Sequence, residues 1–243
     1  DVCKKNKLYY KKIKLEILKS NKISDVFKVK EKIIDIRLVK KQLKEKIEHH
    51  KIKINFNKEV KNIENLKKNS DLVILSTYTD NDFLAKEKIS KDTKFQLVEK
   101  IVVKVPKIYK KKSIVVLDGN FMCIDPFYLK GHSLLGTVKD SVIKETVGKK
   151  LPLSKLELSY LNKESIRNPK NSKFFQIKKT FNEYFNYFEK IKYVKSFYVI
   201  RCTRVSNEDA RKSEIKMRGN VVKIFSGKWV SCFKVAENLI KIL

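Results

Sequence analysis

The chain has 243 residues, with 57 lysines and arginines against 27 aspartates and glutamates, and a formal net charge of +30. This length is sufficient for one large domain or two interleaved domains with a buried core. The absence of a run of about eighteen apolar residues argues against a transmembrane helix. The charged N-terminal residues do not have the pattern of a signal peptide.

The positive charge by itself favours a polyanionic partner, either nucleic acid or an acidic membrane surface. However, nearly all of the basic residues are Lys, whereas phosphate recognition favours the bidentate fork of Arg. Lys is also spread along the whole chain together with Ile and Asn, as expected of an A/T-biased genome. Specific nucleic-acid binding is therefore not favoured, and a basic module that binds nucleic acid or acidic surfaces is kept as an alternative.

The cysteines and histidines indicate no metal site. The four cysteines lie far apart and form no CxxC pair, and there are three histidines. Zinc sites in proteins usually need closely spaced Cys or His pairs. Without a secretory signal, reduced thiols and a cytoplasmic location are the expectation.

The first part of the chain predicts an α/β order of elements. A buried parallel strand is expected over 71–77, where a short apolar run is bounded by polar residues. Ligands of open α/β sheets bind where such strands end. The other expected elements are a short helix over 8–19, an extended piece over 26–29, an amphipathic helix over 34–47, and short strands over 52–56 and 60–63.

From residue 95 the pattern predicts an antiparallel sheet followed by a helix. Alternating or β-branched runs separated by turn residues predict strands over 95–105, 113–117, 121–124 and 133–138. A helix over 172–192 places Phe181, Tyr184, Phe185 and Phe188 on one face, which is typical of packing on a sheet. A further strand over 193–202 and a polar loop over 207–220 follow.

The chain ends with a strand, a Ser-Gly turn and a helix over residues 221–243. The apolar residues after Trp229 recur at helical spacing. The N-terminus of a helix that follows such a turn carries free backbone N–H groups and a partial positive charge. These groups suit an anionic or electron-rich ligand atom above the turn. An ordinary βα unit without a ligand is the other interpretation.

Several segments, in this order, resemble the D-amino-acid oxidase and glycine oxidase superfamily of FAD-dependent oxidoreductases. They are EKIIDIRLVKKQLKEKI (31–47), IKINFNKEVKNI (52–63), SDLVILSTYTDN (70–81), VVLDGNFMCIDPF (115–127), GHSLLGTV (131–138) and FSGKWVSCFKVAENL (225–239). The resemblance covers most of residues 31–243. It implies an FAD cofactor, a small-molecule substrate, and an α/β (α+β) fold in which a Rossmann-like FAD-binding domain is interleaved with an antiparallel-sheet substrate domain.

The resemblance also assigns cofactor-binding positions, and these assignments rest on the family alone. Val60 matches the position whose backbone flanks the adenine. Ser76, Thr77 and Tyr78 match the usual Ala-Thr-Gly, with Tyr78 in place of the Gly. Gly227, Lys228 and Trp229 match the turn before the last helix, where backbone N–H groups would stabilise negative charge on the reduced flavin. Each assignment has an alternative without a ligand, in which Val60 only fills the core and Gly227 only serves the turn.

No GxGxxG segment follows an N-terminal strand anywhere in the sequence, although the family uses such a loop to hold the FAD pyrophosphate. The chain also begins with Asp1. We therefore expect a fragment of a longer enzyme, and an inactive fragment is a further alternative. The expected division is 1–92 as the remainder of the FAD-binding domain, 93–205 as the substrate domain, and 206–243 as a return to the FAD-binding domain.

The predicted reaction is oxidation of an amine or amino-acid-like CH–NH group by hydride transfer to the flavin. No acid/base dyad is visible, so no catalytic residue is assigned. A substrate carboxylate would need a cation, preferably Arg. Arg201 is the first candidate and Arg204 the second, because a predicted strand ends beside them. The alternative is a surface ion pair of these arginines with Glu208, Asp209 or Glu214.

Overall fold

The computed structural model describes residues 2–19, 21–80, 93–117, 121–128, 131–148, 150–205, 213–225 and 228–243. Its fold is mixed α/β, as predicted. The helices are α1 (Val2–Lys5), α2 (Ile36–His49), α3 (Glu64–Lys68), α4 (Lys155–Tyr160), α5 (Phe174–Tyr184) and α6 (Cys232–Ile242). The strands are β1 (Tyr10–Lys12), β2 (Phe27–Val29), β3 (Val73–Leu75), β4 (Thr93–Lys104), β5 (Ile114–Val116), β6 (Met122–Pro126), β7 (His132–Gly136), β8 (Val142–Val147), β9 (Lys192–Arg204), β10 (Glu214–Arg218) and β11 (Val221–Phe225).

The chain divides into two compact units, each made of three segments. Unit 1 comprises residues 1–54, 99–143 and 159–198, and unit 2 comprises residues 55–98, 144–158 and 199–243. The predicted ranges 1–92, 93–205 and 206–243 refer to the domains of a longer enzyme and stay a prediction. No helix among the described residues is long and apolar enough to cross a bilayer.

The predicted antiparallel sheet is present. β5, β6, β7 and the second half of β4 pair in that order and are antiparallel, and β8 and β9 also pair with β4. In unit 1 one face of this sheet forms a core with α5 and the 3₁₀ turn Phe188–Lys190. Phe181, Phe185 and Phe188 are almost completely buried there, and the rings of Phe181 and Phe188 stack at 4.7 Å. The predicted role of the aromatic helix in packing on a sheet is therefore confirmed.

A buried carboxylate ties α5 to the sheet in unit 1. Glu99, on β4, is completely buried. Its carboxylate accepts hydrogen bonds from the Ser172 hydroxyl at 2.8 Å and the Lys173 backbone N–H at 2.7 Å, just before α5. It also accepts from the hydroxyls of Ser196 and Tyr198 on β9. Burial, and then the negative charge of Glu99, raise the pKa of Tyr198, so that the phenol remains a donor.

Unit 2 contains a three-stranded sheet with the order β10-β11-β3. β11 is antiparallel to β10 and parallel to β3, with Val221 opposite Val73 and Lys223 opposite Leu75. Ile63, Val73, Leu75 and Val221 form the core against this sheet. The parallel strand predicted over 71–77 is therefore confirmed, although it is only three residues long.

Four predicted elements are wrong, and tertiary contacts explain each case. Residues 8–19 contain the strand β1 instead of a helix, because Tyr10–Lys12 pair with β2. Residues 52–56 and 60–63 form no strand, and Phe56 is 81% exposed; alternation without a neighbouring strand does not form a sheet. Residues 207–220 include the strand β10, which is largely polar but pairs with β11. The predicted helix 172–192 is shorter than expected and ends at Tyr184.

We expect Glu99→Ala to lower the free energy of unfolding by about 3 kcal/mol, because several buried donors would lose their acceptor. Glu99→Gln should cost less, since the carboxamide oxygen retains part of the acceptor function. Urea unfolding followed by circular dichroism measures both changes. Glu59→Ala is the control, because Glu59 is 79% exposed in a surface ion pair. Equal destabilisation by Glu99→Ala and Glu59→Ala would contradict this role for Glu99.

Candidate functional site

The parallel pairing of β3 with β11 brings two of the predicted segments to one edge of the unit 2 sheet. β3 ends at Leu75 and leads into Ser76, Thr77 and Tyr78, and β11 ends at Phe225. Because the strands are parallel, their carboxyl ends lie at the same edge. In α/β sheets this edge is where ligands bind. The candidate site therefore lies at this edge.

Tyr78 has a backbone conformation that favours glycine. Its φ is +60°, in the left-handed region that a residue with a Cβ rarely adopts. Two sets of contacts hold it there. Its ring stacks on Phe225 with centroids 5.7 Å apart and planes 18° from parallel. Its hydroxyl donates to the Cys202 carbonyl at 2.6 Å and accepts from the Cys202 backbone N–H at 2.8 Å.

Arg204 joins the same group of side chains. Its guanidinium carbon lies 4.7 Å from the centroid of the Phe225 ring, within range of a cation–π contact. Nη1 donates to the Thr93 hydroxyl at 2.5 Å. Nε and Nη2 donate to the two carboxylate oxygens of Glu214, at 3.3 and 3.4 Å. The edge is thus formed by Tyr78, Phe225 and Arg204, with Glu214 balancing the charge of the arginine.

The pKa of Glu214 reflects this ion pair. Burial acts to raise the pKa of this carboxyl, but hydrogen bonds and charge from Arg204, with a smaller contribution from Lys216, lower it below its ordinary value. The alternative of an ion pair with Glu214 is therefore realised for Arg204. An arginine neutralised in this way is less suited to capturing a substrate carboxylate.

Arg201 has a different environment. Its Nε donates to the side-chain oxygen of Gln96 at 2.7 Å, and its Nη2 donates to the same oxygen. The Gln96 amide nitrogen donates in turn to Glu145, which forms an ion pair with Lys94 at 3.6 Å. Gln96 is neutral and only 6% exposed. Its side-chain oxygen therefore holds the guanidinium of Arg201 in place.

The two predicted substrate-binding arginines lie on opposite faces of β9. Side chains alternate along a strand, so residues three positions apart point in opposite directions. The contacts agree, because Arg201 bonds to Gln96 whereas Arg204 bonds to Thr93, also three positions away on β4. The structure therefore does not bring Arg201 and Arg204 together, and a single substrate carboxylate would meet one of them.

The other predicted cofactor positions are placed as follows. Ser76 and Thr77 are exposed at the end of β3. Lys228 and Trp229 are exposed at the start of the 3₁₀ turn Trp229–Ser231 that leads into α6. Val60 is 39% exposed in an irregular segment, so its alternative role of filling the core is wrong. Gly227 lies outside the described residues, and the binding roles of all these positions stay predictions.

The sequence reasoning missed Phe225, Gln96 and Thr93, which hold the predicted residues in place. Phe225 contacts both Tyr78 and Arg204. A signal for Gln96 was present in the sequence, because it interrupts the apolar run around residues 95–103. A polar side chain inside a buried strand needs a hydrogen-bond partner. Phe225 had no such signal, since it resembles any other strand residue.

Comparison with known proteins gives little further information. Neither a protein-family model nor a curated protein matches the sequence. Among solved structures, the chain is similar to an FAD-dependent oxidoreductase from Pseudomonas aeruginosa, with a TM-score of 0.44 and 11% sequence identity. The similarity covers 71% of this chain and 45% of that protein. The chain thus spans less than half the length of this solved structure.

We expect Tyr78→Phe to lower the free energy of unfolding by about 1–2 kcal/mol, because the Cys202 N–H and C=O would lose their shared partner while the ring stacking remains. Thermal and urea unfolding measure the change. The control is Tyr10→Phe, since Tyr10 lies on the exposed strand β1. An unchanged stability of Tyr78→Phe would show that the hydroxyl does not hold β9 in place.

The lowered pKa of Glu214 predicts a dependence of stability on pH. A carboxyl whose pKa is lower in the folded state stabilises the fold above its unfolded value, here 4.5, and this contribution is lost as the pH falls through the folded value. Glu214→Gln should therefore lower the free energy of unfolding by up to about 1 kcal/mol at neutral pH, and by less at a pH below 4.5. The midpoints of urea unfolding at neutral pH and at this acidic pH test the prediction, with the exposed Glu237→Gln as control. A cost that does not change with pH would contradict it.

Proposed function

We propose that this chain is part of a flavin-dependent oxidoreductase and that the carboxyl edge of β3 and β11 faces the flavin. The observation that carries the proposal is the parallel pairing of these strands. The end of β3 precedes Ser76–Tyr78 and the end of β11 precedes Lys228 and Trp229, and the sequence resemblance assigns both groups of residues to FAD. The left-handed backbone of Tyr78 supports the same assignment, because glycine, the usual residue of the family here, adopts this conformation readily.

The described residues would provide only part of an FAD-binding site. Ser76, Thr77, Lys228 and Trp229 are exposed and could contact FAD through their backbone. However, the sequence has no GxGxxG loop for the pyrophosphate, so these residues alone would not hold FAD. When bound, FAD would supply the acceptor for a hydride. The part of this chain would be to orient the ring system and the substrate.

For the substrate we propose an amine or amino-acid-like molecule with a CH–NH group, as the sequence resemblance implies. Arg201 is the first candidate cation for its carboxylate, and Arg204 is the second. The Gln96 side-chain oxygen holds Nε and Nη2 of Arg201 in place. A guanidinium can form a charge-assisted bond with an incoming carboxylate.

The experiment is to purify the natural full-length protein and measure its flavin content by absorbance and by fluorescence after denaturation. We expect stoichiometric flavin, and bleaching of its absorbance by an amino acid or amine in the absence of oxygen. A colourless protein that cannot be reconstituted with FAD would refute the proposal. Bound flavin that no such substrate reduces would retain the flavoprotein assignment and reject the substrate class.

In that protein we expect Arg201→Lys to raise KM for a carboxylate-bearing substrate by about tenfold to a hundredfold, because a bidentate contact would be lost. A matched amine without the carboxylate should be affected much less. Steady-state kinetics with the two substrates measures the difference. Arg218→Lys, at an exposed position of β10, is the control. Equal effects of Arg201→Lys on both substrates would show that Arg201 does not bind the carboxylate.

A further inference from the structure

The longest helix of the described chain, α2, has no buried residue. It belongs to unit 1 and begins at a well-formed cap, where Asp35 accepts from the Arg37 backbone and side chain. The Arg37 guanidinium also lies 4.7 Å from the ring of Tyr128. The helix is therefore anchored at its first turn, while the rest of its length remains accessible to solvent.

An apolar stripe runs along this exposed helix. We call it the α2 stripe, and its members are Ile36, Val39, Leu43 and Ile47. Their spacing of three and four residues places them on one face. Ile36 is 48% exposed and Leu43 is 53% exposed, while Val39 and Ile47 are partly buried. A short helix is usually stabilised by the packing of its apolar face. A surface that covers the α2 stripe would therefore stabilise α2.

The charges of α2 are sorted around the stripe. At about 100° per residue, Lys40 and Lys46 lie on either side of it. The acidic residues lie on the opposite face, where Glu45 faces Lys41 at 3.9 Å and Glu48 faces Lys44 at 3.7 Å. Neither Lys40 nor Lys46 forms an ion pair within the described residues. The stripe is thus flanked by uncompensated positive charge, and the acids face away from it.

We propose that α2 docks on an anionic lipid surface, with the α2 stripe at the headgroup boundary and Lys40 and Lys46 among the headgroups. An amphipathic helix with lysines beside its apolar face is suited to this position. Lysine stems can extend along the apolar layer while their ammonium groups reach the charged headgroups. This inference is independent of the proposed flavin chemistry, since it uses residues that the candidate site does not contain.

Two other acidic partners fit the helix less well. A nucleic acid would attract the lysines, but its phosphates would leave the apolar stripe uncovered. An acidic protein groove usually takes aromatic, Met or Arg anchors, whereas the stripe is entirely aliphatic. Lysines act as point charges, and they suit the diffuse potential of a lipid surface better than bidentate recognition. The positions of Lys40 and Lys46 beside the α2 stripe, and not the total charge of the chain, favour a lipid surface.

The test is co-sedimentation of the full chain with phosphatidylcholine vesicles, with and without phosphatidylserine. We expect binding that needs phosphatidylserine and weakens as salt is raised. Replacing both flanking lysines, Lys40→Gln with Lys46→Gln, should reduce binding by about tenfold or more. Leu43→Ala should also reduce it severalfold. Gln and Ala are good helix formers, and circular dichroism checks that α2 is retained.

The matched control compares Lys40→Gln with Lys41→Gln, since each removes one charge and Lys41 lies on the face of α2 opposite the α2 stripe. We expect Lys41→Gln to leave binding within about twofold, because Lys41 already faces Glu45. Equal losses from Lys40→Gln and Lys41→Gln would overturn the proposal, since binding would then follow net charge alone. Unchanged binding by Leu43→Ala, or a chain that binds RNA or an acidic protein but not the vesicles, would also overturn it.

Discussion

The parallel pairing of β3 with β11 is the constraint on which the candidate site depends. It joins Val73 to Val221, two residues that lie far apart in the chain. Parallel strands end at the same edge, so this one ladder decides that Tyr78 and Phe225 meet. Their stacking then places the Tyr78 hydroxyl on the Cys202 backbone of β9. The geometry of the edge is therefore a consequence of backbone pairing, with side chains adding to it.

Tyr78 shows how an unfavourable backbone conformation is compensated locally. A left-handed φ costs a residue with a Cβ of the order of 1 kcal/mol. The ring contact with Phe225 and two hydrogen bonds to Cys202 are sufficient to offset this cost. A glycine would adopt the conformation without these contacts. Tyr78 is instead held in this conformation by its neighbours.

The buried polar side chains of Gln96 and Glu99 on β4 have different structural roles. Gln96 accepts from Arg201 and donates to Glu145, and so links the two side chains. Glu99 accepts hydrogen bonds from Ser172 and the backbone N–H of Lys173, just before α5, and from two hydroxyls of β9, without a cation among its hydrogen-bond donors in the described structure. Both interrupt an apolar run, and both are satisfied by hydrogen bonds as buried polar groups must be. The first belongs to the candidate site, and the second stabilises unit 1.

The sequence by itself determined the mixed α/β class, the amphipathic helix α2, the buried strand β3, the aromatic helix α5 and the closing β11 and α6, because each has a strong local period. It also identified the arginines at the end of β9. Only the tertiary structure decided which strands pair, and pairing made Tyr10–Lys12 and Glu214–Arg218 into strands and left 52–56 irregular. It also separated Arg201 from Arg204, since strand faces and partners are set by contacts between residues far apart in the chain.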